Sequence, residues 1–378
     1  MRKLCDNKSR KKIKRYGNLF DKIIHKQNLL NAHKNAKRGK SKYRAVKYVE
    51  ENLTFCIKQI NKDLRDRSYK TSEYKTDTRI ERGKERKIHK LPYFKDRIVH
   101  HAILQVIEPI LQETYIKDTY QSIKGRGVHK AKDRIKSFLR DKEGTKYCLK
   151  IDIKKYYPSV DNEILKILLR KKIKCSDTLK LIDEIIDSTK GLPIGNYTSQ
   201  TFGNYYLSFF DHWVKENKKI KYYIRYADDM IFMLESKEEL HKLKNEIEEY
   251  LSENLNLKLK ENWQVFPTNV RGIDFLGFRF FSKYIILRGS IKKAYMKIIK
   301  SIHKKGVKIE KINSIMAYYG WIKASNSYNL LRNSISKSVI EKFNIFCEIV
   351  EIKNPINKLV LVPKSNINVH GNYQPTLF

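Results

Sequence analysis

Three carboxylates carry the chemistry written into this chain. Two are adjacent, Asp228 and Asp229, inside the run Tyr222-Tyr223-Ile224-Arg225-Tyr226-Ala227-Asp228-Asp229-Met230-Ile231-Phe232-Met233-Leu234. Aromatic and β-branched residues on both sides predict two strands joined by a tight turn at the acids. Asp is a common turn residue because its side chain bonds nearby backbone, so the pair taken alone reads equally well as a structural turn. The third acid, Asp152, sits in another strand-like run, Tyr147-Cys148-Leu149-Lys150-Ile151-Asp152-Ile153. Set side by side by the fold, these acids would suit hard divalent cations, which prefer oxygen ligands. Two Mg²⁺ about 3.5–4 Å apart would activate an attacking hydroxyl and steady a triphosphate with its leaving group. Such phosphoryl transfer asks a protein mainly for position and positive charge. Arg86, Lys87, Arg97 and Arg126 are the candidate phosphate contacts, and each also reads as a solvated surface cation.

The elements that must position these groups follow from local patterns. Gly83 to Pro92 reads as part of a hairpin, and Asp96 starts a helix running toward Pro109. Gln121 to Ala131 is a glycine-punctuated loop opening a helix, a ready anion site. After Asp152, Tyr156-Tyr157-Pro158 leads into a helix, with another over Asp177 to Asp187. Gly191-Leu192-Pro193-Ile194-Gly195-Asn196-Tyr197-Thr198-Ser199-Gln200 is a Gly/Pro loop feeding a helix whose aromatics belong to the core. A helix from Ser236 to Asn254 opens on a capping-box pattern, Ser236 with Glu239. Residues 1–70 read as basic and helical. Ala45, Val46, Val49, Leu53, Ile57, Ile60 and Leu64 recur near helical spacing, which suits either a phosphate-gripping arm or an amphipathic layer on the core. Lysine-rich helical periodicity runs from Ser290 to about Cys347, and an irregular tail is expected from Asn354.

Composition narrows the partners. Among 378 residues, 80 basic face 41 acidic side chains, a formal net charge of +39. No core needs that excess, and nucleic acid is its natural counterpart, because each neutralised phosphate releases counterions. No long apolar span is present, so a membrane partner is not expected. Cys5, Cys56, Cys148, Cys175 and Cys347 are scattered and lack CxxC spacing, which argues against a disulfide framework or a zinc module. With no apolar signal segment at the basic N-terminus, the expected compartment is reducing and cytoplasmic.

The order of these motifs resembles the reverse transcriptases. The matching stretches are Arg86 to Pro92, Ser122 to Ala131, Asp152 to Val160, Leu192 to Gln200, Tyr226-Ala227-Asp228-Asp229 and Phe275-Leu276-Gly277. The resemblance implies an α+β right-hand polymerase fold, with fingers, a palm built on an antiparallel sheet, and a helical thumb. The expected boundaries are a helical extension over 1–70, fingers over 71–145, palm over 146–288, thumb over 289–349 and a tail over 350–378. It implies Asp152, Asp228 and Asp229 as catalytic acids, with Ile153 joining them in the metal set for two Mg²⁺, Mn²⁺ being a substitute. Tyr157 falls where the family places the aromatic that excludes a ribose 2′-hydroxyl; a core aromatic is the plain alternative. Arg86, Lys87, Arg126, Tyr157, Ile194, Gly195 and Gln200 would line the nucleotide site. Implied partners are a template RNA, a primer or cDNA strand, dNTPs and a small basic accessory protein.

Two departures set the subtype. Ile194 stands where most of the family carries Gln, and Gln200 where most carry Pro, a variant similar to reverse transcriptases of diversity-generating retroelements, which copy RNA with errors at template adenines. A Lys expected shortly before the last palm strands is replaced near Trp263, leaving Lys258 and Lys260 as candidates for a proton donor. No nuclease motif follows the thumb, so a minimal polymerase is expected. An antiphage-defence or retron-type enzyme and a non-catalytic RNA-binding protein on the same fold are the competing expectations.

Overall fold

The computed structural model of the chain describes residues 14–81, 83–305, 309–334, 347–352 and 358–363; Cys5 lies outside them. The chain forms two compact units, Met1–Gly127 with Tyr147–Val265, and Val128–Lys146 with Phe266–Phe378.

The first unit is built on a mixed sheet. Its strands are β3 (Thr119–Tyr120), β4 (Tyr147–Asp152), β5 (Tyr222–Tyr226), β6 (Asp229–Leu234) and β7 (Gln264–Pro267), preceded in the chain by a separate hairpin of β1 (Lys75–Glu81) and β2 (Lys84–Lys90). The order is β3-β5-β6-β4-β7. β5, β6 and β4 run antiparallel, while β3 lies parallel to β5. Met230, Ile231, Phe232 and Met233 are all at 0 % exposure. Since successive strand residues point to opposite faces, β6 is covered on both sides, and its continuous apolar run is the sequence record of that burial. The helix Lys237–Leu255 packs on β4 and β6. Ser236 caps it as expected, its hydroxyl accepting from the Glu239 N–H at 3.2 Å. The same hydroxyl donates to Glu238, not Glu239, at 2.9 Å.

The N-terminal stripe folds as an amphipathic layer. Val46, Val49, Ile57, Ile60 and Leu64 enter the same core cluster as the sheet. A break at Asn52 divides the stretch into helices Arg44–Glu51 and Leu53–Arg65, so Ala45 falls on the exposed side and Leu53 is half-buried. The hairpin turns at Gly83 in the left-handed region, φ 77°, which favours glycine.

Among its described residues the second unit holds the helices Val128–Phe138 and Thr268–Arg271, a three-stranded meander, three further helices and a terminal hairpin. The meander strands are β8 (Ile273–Phe275), β9 (Phe278–Phe280) and β10 (Ile285–Leu287). Leu276 and Gly277, with φ 50° and 82°, make the two-residue turn between β8 and β9, and such hairpin turns need left-handed residues. A Cβ on Gly277 would lie 2.6 Å from the Trp321 ring. Helices Gly289–Lys305, Ile309–Lys323 and Tyr328–Ser334 follow. One expectation is corrected here: β12 (Lys358–Pro363) pairs antiparallel with β11 (Cys347–Ile352) where an irregular tail was expected from Asn354. The run Leu359-Val360-Leu361-Val362 carries the β-branched character for this, too short to be read between polar flanks.

Candidate active site

Strand register assembles the acids. Asp152, last residue of β4, is the direct partner of Asp229, first residue of β6. Directly opposed residues on antiparallel strands hold their Cβ atoms about 4.5–5.5 Å apart. Asp228 occupies the turn before Asp229, and Ala227 beside it adopts φ 55°, a left-handed conformation uncommon for alanine. The Asp228 carboxyl is pushed up to about 7, by burial first and then by the like charges of Asp152 and Asp229.

Asp152 is held from its other side. An isolated bridge pairs Ile153 with Leu259, closed by Lys154 N–H to Lys258 O at 2.8 Å and Lys260 N–H to Asp152 O at 2.9 Å. This bridge brings the Lys260 ammonium onto Asp152 Oδ2. It also leaves the Ile153 N–H and carbonyl outside its two bonds. Lys258 instead lines a polar groove with Lys154, Lys155 and Asp161. The second Asp152 oxygen, Oδ1, is buried without a hydrogen-bond partner. A buried carboxylate oxygen with no partner is costly, and with the proton-hungry Asp228 next to it this donor set fits a hard divalent cation. Among the described residues no three His, Cys, Asp or Glu side chains are gathered as they would be around a bound ion, and Asp152 is engaged by Lys260 instead.

The other candidate residues make contacts of their own. The Tyr157 ring packs over Gly203, where an added Cβ would lie 3.3 Å away. Its hydroxyl is pushed upward by burial and then by Asp228, with Arg86 acting the other way. Tyr157 therefore senses both the Asp228–Asp229 turn and β2. Arg86 and Lys87 are neighbours on β2, so they point to opposite faces, and Lys87 is exposed. The Ile194 carbonyl accepts the His89 N–H of β2 at 2.8 Å. Gly195 follows at φ 120°, and a Cβ there would lie 2.3 Å from His89 O. Gln200 Oε1 accepts from the Ser122 hydroxyl at 2.8 Å, joining two of the motif loops. Arg126 Nη1 donates to Ile116 O at 2.7 Å, so part of its guanidinium closes its own loop.

Two groupings escaped the sequence reading. Under the turn, Arg225 is at 0 % exposure. Its Nε and Nη2 meet the two Asp211 oxygens at 2.7 and 2.6 Å. Its Nη1 donates to Ala227 O at 3.1 Å and Asn204 Oδ1 at 3.3 Å, and Nη2 donates to Asn204 O at 3.2 Å. Asp211 also accepts from the Tyr223 hydroxyl at 2.6 Å and the Thr119 hydroxyl at 2.8 Å. An arginine amid aromatic and β-branched strand residues was the available signal. Beside the Gly195 loop, Arg38, Lys40 and Arg97 cluster. Among the described residues none of the three pairs with a carboxylate. Arg97 Nη2 lies 3.5 Å from Gly195 O, and Lys40 is brought down to about 8 by burial and then by Arg97. His101, lowered to about 3 by burial and these cations, stacks on Tyr197 with ring centroids 3.8 Å apart. Tyr197 is 42 % exposed.

Comparison with known proteins gives three findings. The family described as "Reverse transcriptase (RNA-dependent DNA polymerase)" matches residues 50–280. Protein YkfC of Escherichia coli (strain K12) is 25% identical over 238 residues, 51% of this chain and 62% of that protein. Among solved structures, an apo telomerase from Candida tropicalis aligns at TM-score 0.47 and 13% identity, covering 72% of this chain and 60% of that one. A telomerase from Candida albicans, solved with a fragment of telomeric RNA, aligns at 0.45 and 13%, covering 74% and 57%. The chain thus spans about three fifths of the length of these relatives.

Proposed function

The chain belongs to the reverse transcriptase (RNA-dependent DNA polymerase) family, and on that premise we propose that it copies a template RNA into DNA from dNTPs at the acid cluster of β4 and the β5–β6 turn. One observation carries this reading: Asp152 faces Asp229 in register, beside an Asp228 pushed up to about 7 by burial and then by these two acids. Asp152, Asp228, Asp229 and the Ile153 carbonyl would hold the two Mg²⁺. When bound, such ions lower the pKa of an attacking 3′-hydroxyl and neutralise the triphosphate. The chain's own residues supply the rest. Tyr157, close enough to Asp228 to feel its charge, would exclude a ribose 2′-hydroxyl with its ring and so favour deoxynucleotides. Arg86 offers its charge to the incoming phosphates from β2. Arg38, Lys40 and Arg97, without a carboxylate partner among the described residues, and the exposed Tyr197 ring suit the phosphates and bases of an RNA strand, stacking being sequence-tolerant. Fingers over 71–145, palm over 146–288 and thumb over 289–349 remain our assignment.

The test is primer extension on an RNA template with Mg²⁺. Wild type should incorporate dATP well ahead of ATP, and Asp152→Asn should lose at least about 10³-fold in rate, as expected of a group acting directly on transition-state charge. Undiminished synthesis by Asp152→Asn would take the chemistry away from this acid cluster, and a wild-type chain that makes no DNA would leave an RNA-binding protein on this fold.

We further propose that the enzyme is of the diversity-generating type, assisted by a small basic accessory protein. Ile194 supports this. It offers no side-chain hydrogen bond to an incoming base, and a polar contact of that kind contributes about 0.5–1.5 kcal/mol. A space-filling pocket discriminates only weakly, by about 10–200-fold for a methylene-sized difference. Ile194→Gln should therefore lower misincorporation opposite template adenine; an unchanged error spectrum would remove Ile194 from the explanation. A retron-type or defence enzyme is the outcome if no variable gene with an adenine-marked template repeat lies nearby. Among the described residues no helix is long and apolar enough to cross a membrane.

A further inference from the structure

We propose that Arg225 is a positioning residue for the catalytic turn, fixing the Asp228 carboxylate through the Ala227 carbonyl and tying that turn to the helix that carries Gln200. The inference rests on the polymerase reading above and adds a residue that touches neither nucleotide nor metal.

The geometry separates this role from that of an ordinary buried ion pair. A pair with Asp211 alone would use Nε and one face of Nη2, at 2.7 and 2.6 Å. The remaining donors are aimed elsewhere. Nη1 reaches Ala227 O at 3.1 Å, two residues along the chain and one before Asp228. Nη1 and Nη2 also take both acceptors of Asn204, at 3.3 and 3.2 Å. Asn204 lies on the helix Tyr197–Tyr206, four residues after Gln200, and its own amide donates to Gln121 O at 3.0 Å in the glycine-punctuated loop. One planar fork thus joins the acid turn, the helix behind Ile194 and Gln200, and the loop that bears Ser122. Only a guanidinium has donors in these fixed directions.

The turn needs such an anchor. Ala227 holds φ 55°, and a non-glycine residue in that region costs about 1–2 kcal/mol unless its surroundings hold it there. Three neighbouring carboxylates repel one another and would also tend to open the turn. A carbonyl fixed by a fully buried charge resists both. Because Arg225 is sealed at 0 % exposure with Asp211 also at 0 %, the low local dielectric strengthens each of these bonds. Arg225 therefore acts on the reaction through where Asp228 sits, and template, primer and nucleotide never meet it.

The experiment uses the full chain with two variants. Arg225→Lys keeps the charge and the pairing with Asp211, yet a single ammonium cannot reach Asp211, Asn204 and Ala227 together. The double variant Arg225→Met with Asp211→Asn removes both charges at once, and an amide at 211 still serves the Tyr223 and Thr119 hydroxyls. Single-nucleotide incorporation, template–primer binding by fluorescence anisotropy and thermal unfolding are read side by side. Positioning predicts kcat lower by about 10²-fold, the scale of a misplacement near 1 Å. KM for dNTP and Kd for template–primer should stay within about threefold, a difference too small to reach one pKa-unit equivalent of binding energy. Either variant folded and within about threefold of wild-type kcat overturns the proposal. Loss of cooperative unfolding in both variants overturns it too, in favour of a purely structural pair. A wild-type chain that makes no DNA sinks the functional reading instead, so the two failures are told apart.

Discussion

At the scale of single residues, Asp228 is the group whose charge state matters most. Its carboxyl binds a proton more readily in the folded chain than in the unfolded one, since burial and two like charges push it up to about 7. A raised carboxyl favours the folded state at low pH, and that contribution is lost as pH rises through about 7. In the absence of divalent ions, the stability difference between wild type and Asp228→Asn should therefore open as pH climbs from about 5 to 8, the variant becoming the more stable by a few kcal/mol at the upper end. Urea midpoints across that range measure it, and parallel curves would show that Asp228 titrates normally. The acids were legible in the sequence because they sit in aromatic, β-branched runs with one obvious turn. The Lys260 contact with Asp152 was only half legible: two lysines were in range, and a single backbone bridge between Ile153 and Leu259 chose one.

At the scale of elements, the β1–β2 hairpin and the 191–200 loop meet backbone to backbone. The His89 N–H donates to Ile194 O, and Gly195 passes so close to His89 O that a methyl group would stand 2.3 Å from it. Gly195→Ala also forces an alanine to φ 120°. It should destabilise the protein by about 1–3 kcal/mol, the range for overpacking, and raise KM for dNTP, because Ile194 and Arg86 are placed by the same contact. Thermal unfolding and incorporation kinetics test both; an unshifted Tm would mean that the loop yields. The hairpin and the Gly/Pro loop could each be read from turn residues. Their docking could not, since backbone contacts between distant segments leave no side-chain pattern behind. For the opposite reason β12 was missed: its apolar run is clear, but nothing nearby announces the partner strand β11.

At the scale of the whole molecule, the proposed RNA contact would give part of the formal charge of +39 a role in the exposed Arg38 and the half-buried Lys40 and Arg97, which have no carboxylate partner among the described residues. Composition announced a polyanion; which cations gather beside Gly195 depends on how the turn after the helix Lys26–Ala36 meets the start of Ile98–Gln112, and that is a matter of packing. Replacing Lys40 and Arg97 with Ala should flatten the dependence of log Kd for single-stranded RNA on log salt by about 1 for each phosphate contact removed. An unchanged slope would place the RNA elsewhere on the chain. The fold class was legible for a different reason, since six motifs in order constrain a topology that none of them constrains singly.

The ammonium of Lys260 resting on Asp152 has a practical consequence at the bench. Asp152 carries an internal counter-ion, so on the proposed two-metal reading dialysis against a chelator should leave the chain folded and able to make DNA again once Mg²⁺ is returned. Strip that lysine's charge, as in Lys260→Met, and the same dialysis should become a one-way step.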